Sequence, residues 1–169
     1  MRTRAFSLIE LVVVVVILGV IGAIAVPRMS SFSANAKVHA AQANVNIVRS
    51  KIDEVIAIEG KPPTAIDATW FAGRKIPKNP FATASDPRQV QQVSGGASVT
   101  EPSIKTVEGR IAYWYNRDNG EFRARVPTRG SSAATLALYN LVNGTQLTSL
   151  SDTAKPVGSG GSIEIELGG

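Results

Sequence analysis

From Leu11 to Val26 the chain carries no polar side chain; Val, Ile, Leu and Ala, with Gly19 and Gly22, fill every position. A helix from Phe6 to Val26 is about 30 Å long, the thickness of a bilayer's hydrocarbon core. Pro27 follows; it cannot donate to a helix ladder and is expected to bend it. The pattern then changes. Ala41, Val45, Val48, Ile52, Val55 and Ile56 recur at three- and four-residue spacing among Lys37, Asn44, Asn46, Arg49, Lys51, Asp53 and Glu54, an apolar stripe on a polar helix. Gly60 and Pro62-Pro63 end it. One helix to about Glu59 is predicted, apolar all round in its first half and one-sided in its second. The first half needs lipid or copies of itself, and the second needs a domain to pack against.

The stripe's partner is expected to be a sheet. Ile111–Tyr115 and Phe122–Val126 are rich in aromatic and β-branched residues and flank Asn116-Arg117-Asp118-Asn119-Gly120, a hairpin signal closed by Asn-Gly. In the second strand Phe122, Ala124 and Val126 share one face, with Arg123 and Arg125 on the other. Ser132–Asn143 reads as a short helix closed by Gly144. Ile163, Ile165 and Leu167 alternate with Glu164 and Glu166 in a third strand, Ser162–Leu167, whose acids could pair with Arg123 and Arg125 if the strands are neighbours. Gly158-Ser159-Gly160-Gly161 before it is a flexible link. The stretch 60–108 is expected to be mostly loop, with Gln89–Ser98 mobile. The fold class is therefore α+β, a long N-terminal helix with a transmembrane half and an amphipathic half, the latter packed on a small antiparallel sheet.

One carboxylate, Glu10, interrupts the apolar segment near its start, and Arg2 and Arg4 precede it. Three readings compete. A secretory signal peptide would use Ala23-Ile24-Ala25 as its cleavage site, but Glu10 lies inside the apolar segment and the helical pattern runs past Ala25. An ordinary membrane anchor would make Glu10 incidental. In the third, Glu10 is functional: a carboxylate at membrane depth costs roughly 2.5–3.5 kcal/mol on insertion scales and usually has a partner. No Lys, Arg or His lies between Phe6 and Val26. A neighbouring copy's N-terminal amine could serve, were the chain cut just before Phe6.

A short basic leader, the small residue Ala5, then Phe6-Ser7-Leu8-Ile9-Glu10 and an apolar helix resemble the type IV pilin and pseudopilin superfamily. The family usually has Gly where Ala5 stands. The resemblance implies cleavage between Ala5 and Phe6 by a prepilin peptidase, methylation of the new amine on Phe6, and assembly into a filament. It also implies that Glu10 meets an incoming subunit's terminal amine. Residues 1–5 are then a leader, 6–26 the transmembrane or filament-core helix, 27–59 its amphipathic continuation, and 60–169 a globular head. Gly19 and Gly22 would allow close helix packing, and Pro27 a bend. The implied partners are identical or homologous subunits, the prepilin peptidase and methyltransferase, an inner-membrane assembly platform with its ATPase, and membrane lipid. The implied location is the bacterial inner membrane, single-pass, with Arg2 and Arg4 holding the N-terminus in the cytoplasm and the head outside, then a periplasmic or extracellular filament.

The chain has 169 residues, one modest domain beyond the helix. Formal net charge is +5, and loss of Arg2 and Arg4 would reduce the bias further, so charge alone is no nucleic-acid signature. There is no cysteine, hence no disulfide brace. Many pilins close a C-terminal loop with one, and its absence, with Lys78-Asn79-Pro80-Phe81 resembling the Pro-rich loop of type II secretion pseudopilins, points first to a pseudopilin. Phe81 tucked onto the helix in a rigid loop is the structural explanation of that fragment. The alternatives are a major pilin of a surface filament, for adhesion, motility or DNA uptake, and a monomeric membrane-anchored binding domain.

Catalytic chemistry is not expected. His39 has no partner at ligand spacing, and no Gly-rich phosphate loop occurs. No cofactor is expected; calcium remains a possibility through Asp152, Glu164 and Glu166, although their spacing matches no known loop. Asn143-Gly144-Thr145 fits a glycosylation triplet of the kind that arises by chance. Tyr113, Trp114 and Tyr115 beside Arg110, Arg117, Arg123 and Arg125 resemble a stacking surface with basic neighbours for DNA, yet strand aromatics are more often core, and a nucleic-acid partner is not expected.

Overall fold

A computed structural model describes residues 7–82, 88–107 and 111–154, with backbone alone for 25–31. Helix α1 (Leu8–Glu59) is followed by two 3-10 turns (Ala68–Trp70 and Ala72–Arg74), strands β1 (Val90–Val93), β2 (Tyr113–Asn116) and β3 (Phe122–Ala124), and helix α2 (Ser132–Asn143). The chain divides into two compact units, 1–37 and 38–169, so α1 supplies all regular structure described in the first and the opening helix of the second. It ends as the sequence dictates: Gly60 adopts φ +73° and its N–H returns to Ile56 O at 2.8 Å.

In the head, the stripe of α1 is the floor of the core. Ala41, Val45, Val48 and Ile52 are buried, with Val38 extending the stripe one turn earlier. Tyr113 and Tyr115 of β2 and Phe122 and Ala124 of β3 share this core, as do Leu138, Tyr139 and Val142 of α2. The hairpin register pairs Tyr113 with Ala124 and Tyr115 with Phe122, which puts the four on one face. At the turn, Gly120 has φ +77°, and a Cβ there would lie 3.0 Å from the Ile56 side chain. Only glycine lets the hairpin tip approach the helix so closely. Helix α2 starts on Ser131, whose Oγ accepts from Ala134 N, and stops at Gly144 in the left-handed region, a capped start and stop.

The α+β class is as expected, but the sheet is mixed rather than antiparallel. Its order is β1-β2-β3, with β1 parallel to β2 and β2 antiparallel to β3. The stretch 89–98, expected to be mobile, instead contains β1. Val90-Gln91-Gln92-Val93 shows no alternation to betray a strand; its pairing with β2 comes from tertiary contact. The expected strand Ser162–Leu167 lies outside the described residues, so Arg123 and Arg125 are not seen with Glu164 or Glu166.

Polar side chains splice the loops to this framework. Asn79 donates from Nδ2 to Ala112 O (2.9 Å) and Arg125 O (2.8 Å), while its Oδ1 accepts from Phe81 N (3.0 Å). Phe81 is buried in the core, so the Lys78–Phe81 fragment has a structural role. Asn143 pairs with Ala124 as a strand would: Ala124 N donates to its Oδ1 (2.8 Å) and its Nδ2 donates to Ala124 O (2.9 Å). Only 1 % exposed, Asn143 offers no amide for glycosylation. Tyr115, whose hydroxyl donates to Pro63 O (2.7 Å), has its phenol pushed up to about 12 by burial.

Asn79→Ala should lower head stability by about 1–3 kcal/mol, because the carbonyls of Ala112 and Arg125, beside β2 and β3, each lose a buried donor. Urea unfolding of the full chain reads this; an unchanged midpoint would contradict the splint.

Candidate functional site

The first turn of α1 is built by a four-residue box. Ser7 O accepts from Glu10 N (3.1 Å) and Leu11 N (3.3 Å), starting the helix. The Glu10 carboxylate reaches back to accept from Ser7 N at 3.0 Å. Ser-x-x-Glu before an apolar run is the capping-box pattern, in which the acid satisfies a backbone N–H that a helix start leaves without a partner. The negative charge also faces the positive end of the helix dipole. Sequence reasoning singled out Glu10 for its charge and missed Ser7, although the Ser7-Leu8-Ile9-Glu10 spacing was the available signal.

Beyond this box the described apolar side chains stand largely exposed. Ile9, Val12, Val13, Val14, Val16 and Ile17 are all about half exposed or more, and Leu8 is 80 % exposed. A Cβ added at Gly19 or Gly22 would meet nothing within 4 Å. Burying such side chains in an apolar environment gains roughly 1.5–3 kcal/mol each, so the surface has a large, unspent tendency to associate. Among the described residues no helix is long and apolar enough to cross a membrane. The stretch of α1 with described side chains, Leu8–Ile24, is about 25 Å long, and the sequence continues it through Ala25 and Val26. Ala5 and Phe6, the expected cleavage pair, lie outside the described residues. Pro27 falls within α1, its side chain not described.

The hairpin does not form the basic stacking surface that the sequence allowed. Tyr113, Trp114 and Tyr115 are buried, and so are Arg123 and Arg125. Arg123 Nε donates to Glu101 Oε1 (2.8 Å) and its Nη1 to Glu121 Oε2 (2.6 Å). Tyr139 donates its hydroxyl to the other Glu101 oxygen at 2.7 Å, and burial beside that carboxylate pushes the phenol well up. Arg125 bonds Gln91, and Arg110 lies outside the described residues. Arg49 enters from α1, giving two bonds to Phe122 O (3.1 and 2.9 Å) and one to Asn143 O (2.9 Å). Burial, with Arg123 close by, lowers its guanidinium to about 10. These arginines hold the head together rather than meeting phosphates.

His39 is exposed on α1 and faces Gln42 Oε1 at 3.1 Å. Among the described residues no group of His, Cys, Asp or Glu could hold a metal ion. Of the acids considered for calcium, Asp152 accepts from Thr148 N (3.0 Å) and Ser149 N (2.8 Å), donors that draw its pKa below the usual carboxylate range. Glu164 and Glu166 lie outside the described residues.

A capped, greasy helix that continues into an α+β head is a pilin-like arrangement, and comparisons with known proteins agree. The prokaryotic N-terminal methylation motif matches residues 1–26. The chain is 31 % identical over 115 residues to the type IV major fimbrial protein FimA of Dichelobacter nodosus, covering 64 % of this chain and 69 % of that protein. A second FimA from the same organism is 25 % identical over 115 residues, covering 68 % of this chain and 72 % of its own length. No solved structure matches significantly. The chain belongs to the type IV pilin family.

Glu101→Ala should destabilise the head by about 3–5 kcal/mol, since it strips a buried guanidinium of its buried counter-charge. Calorimetry or urea unfolding checks this, and a variant as stable as the parent would remove the pair from the account of the head.

Proposed function

We propose that this chain is a non-enzymatic structural subunit of a type IV filament, held in the membrane by α1 before assembly and polymerised through it afterwards. The observation that carries the reading is the shell of exposed apolar side chains from Leu8 to Ile24, led by a carboxylate in the first turn. Side chains of this kind on every face of a helix have no stable place in water. Lipid or the same segment of other copies would cover them.

In this reading the cut falls between Ala5 and Phe6, and the new amine on Phe6 is methylated. The amine of an incoming subunit meets Glu10 of one already in place. Opposite charges attract strongly where the dielectric is low, and one misplaced partner leaves a costly lone charge, so the pair fixes axial register. In the capping box only one Glu10 oxygen, Oε2, meets Ser7 N; a carboxylate has acceptor capacity for the amine as well. Gly19 and Gly22, with no contact in the lone chain, would let helices of neighbouring copies come close.

Between the two filament classes we favour a surface fimbria over a secretion pseudopilin. Both named relatives are major fimbrial proteins, and the aligned 115 residues exceed the 26-residue motif, so the likeness enters the rest of the chain. The Lys78–Phe81 fragment that pointed to secretion is accounted for by Asn79 and Phe81 packing within the head. Sheared surface fibres containing this chain, seen by electron microscopy, support the fimbrial class; short envelope-confined assemblies with loss of protein export on deletion would replace it with the secretion class.

Glu10→Gln should keep the helix start, since an amide oxygen still accepts from Ser7 N, but abolish assembly; Glu10→Ala should weaken both. Filament yield set beside precursor processing reads the two effects apart, and normal filaments from Glu10→Gln would end the charge-pairing role. N-terminal mass spectrometry of native protein is expected to give a methylated Phe6 start; a start at Val26 would overturn the filament reading.

A further inference from the structure

The last described stretch, Thr148–Ala154, has no regular structure of its own and is held against the stretch from Thr100 to Lys105. Thr100 N and Glu101 N both donate to Thr153 O, at 3.0 and 3.1 Å. Between the stretches lies the Lys105 ammonium. Its Nζ donates to Pro102 O (2.9 Å), Leu150 O (2.9 Å) and Asp152 O (2.5 Å), and lies 5.6 Å from the centroid of the Tyr139 ring. Lys105 is 2 % exposed.

An ammonium has three N–H donors, and here all three are used, each by a backbone carbonyl and none by a carboxylate. Carbonyl oxygens turned inward on a single positive charge are what protein loops otherwise build for a hard cation. The carboxylate of Asp152 takes no part in this cage, being occupied with Thr148 N and Ser149 N. Its backbone oxygen does. Burial draws the ammonium's pKa below the ordinary lysine value, while Glu101 and Asp152, the charged groups around it, favour its charged form. Glu101 is itself spent on Arg123 and Tyr139.

We infer that Lys105 is a built-in cation: its ammonium supplies the positive charge around which the Thr148–Ala154 loop closes, so that the loop forms without a metal ion. The stem of the side chain anchors that charge to the framework one residue before Thr106, which bridges to Val126 beyond β3. The clamp thus ties the loop to the sheet, and it does so in the single subunit, whether or not filaments form.

The test is amide hydrogen exchange on the full chain in detergent. Lys105→Met keeps most of the stem and removes the charge; exchange at Thr100, Glu101, Thr148 and Ser149 should quicken by about tenfold or more, as local opening does, with α1 amides unchanged. In Lys105→Ala, added ethylammonium should restore protection while tetramethylammonium, which has no N–H, should not. Wild type should keep its loop protection in EDTA and gain none from calcium. Wild-type protection in Lys105→Met, failure of ethylammonium to rescue, or opening of the wild-type loop by EDTA would each overturn the inference. Should Lys105→Met fail to fold, the wild-type EDTA and calcium measurements decide alone: unchanged protection supports the internal cation, and changed protection overturns it.

Discussion

Apolar side chains on every face of a helix cannot be satisfied by the chain that carries them, and this constraint governs the protein. From Leu8 to Ile24, α1 presents exposed valine, leucine and isoleucine outward. From Val38 to Ile52 the same helix buries one stripe, with Gln42, Asn44 and Arg49 half-buried along its edges. One helix therefore has two kinds of surface, and the second is covered by the head it packs against. A helix start in such a place is itself a problem, because its leading N–H groups lack partners. Glu10 answers it for Ser7 by placing a carboxylate in the first turn of an otherwise apolar stretch.

The head obeys a different limit. A domain of this size buries too small a fraction of its surface for apolar contact alone to brace every loop, and much of its chain between α1 and β2 is loop. Side chains make up the difference by bonding backbone. Asn79 spans the carbonyls of Ala112 and Arg125 beside the hairpin strands, Asn143 acts as an added strand for Ala124, Asn116 holds Gly96 O and Val99 O, and Lys105 gathers three carbonyls. Arg123 and Glu101 add a buried ion pair. Such pairs contribute little net stability when intact but a large penalty when halved, so they narrow the choice of fold more than they deepen it.

Features governed by local periodicity and punctuation were legible in the sequence. The stripe on α1, the Asn-Gly turn and the span of α2 with Gly144 at its end all follow from spacing and backbone preference. What could not be read depended on contacts far apart in the chain. Strand β1 owes its existence to β2, over twenty residues away, and has no pattern of its own. Arg123 and Arg125 were correctly put on the face away from Phe122, but alternation says only which face, not whether that face is wet. Glu101, twenty-two residues from Arg123, had no local mark of a buried partner. Of the first-turn site, Glu10 stood out as a charge in a greasy run, whereas Ser7 was passed over although its spacing to Glu10 is that of a capping box.

Arg49 carries a mechanical consequence. Its guanidinium fastens α1 to the carbonyl of Phe122 on one side and to that of Asn143, the last residue of α2, on the other. Tension applied along α1 therefore reaches both the sheet and the second helix through this rigid fork, beside the buried stripe that also grips the helix. Bonds strained side by side share the load and yield together, unlike a zipper that parts one tooth at a time. In a fibre of such subunits, part of any pull on α1 would be shared at once between the sheet and the second helix, with Arg49 joining the two.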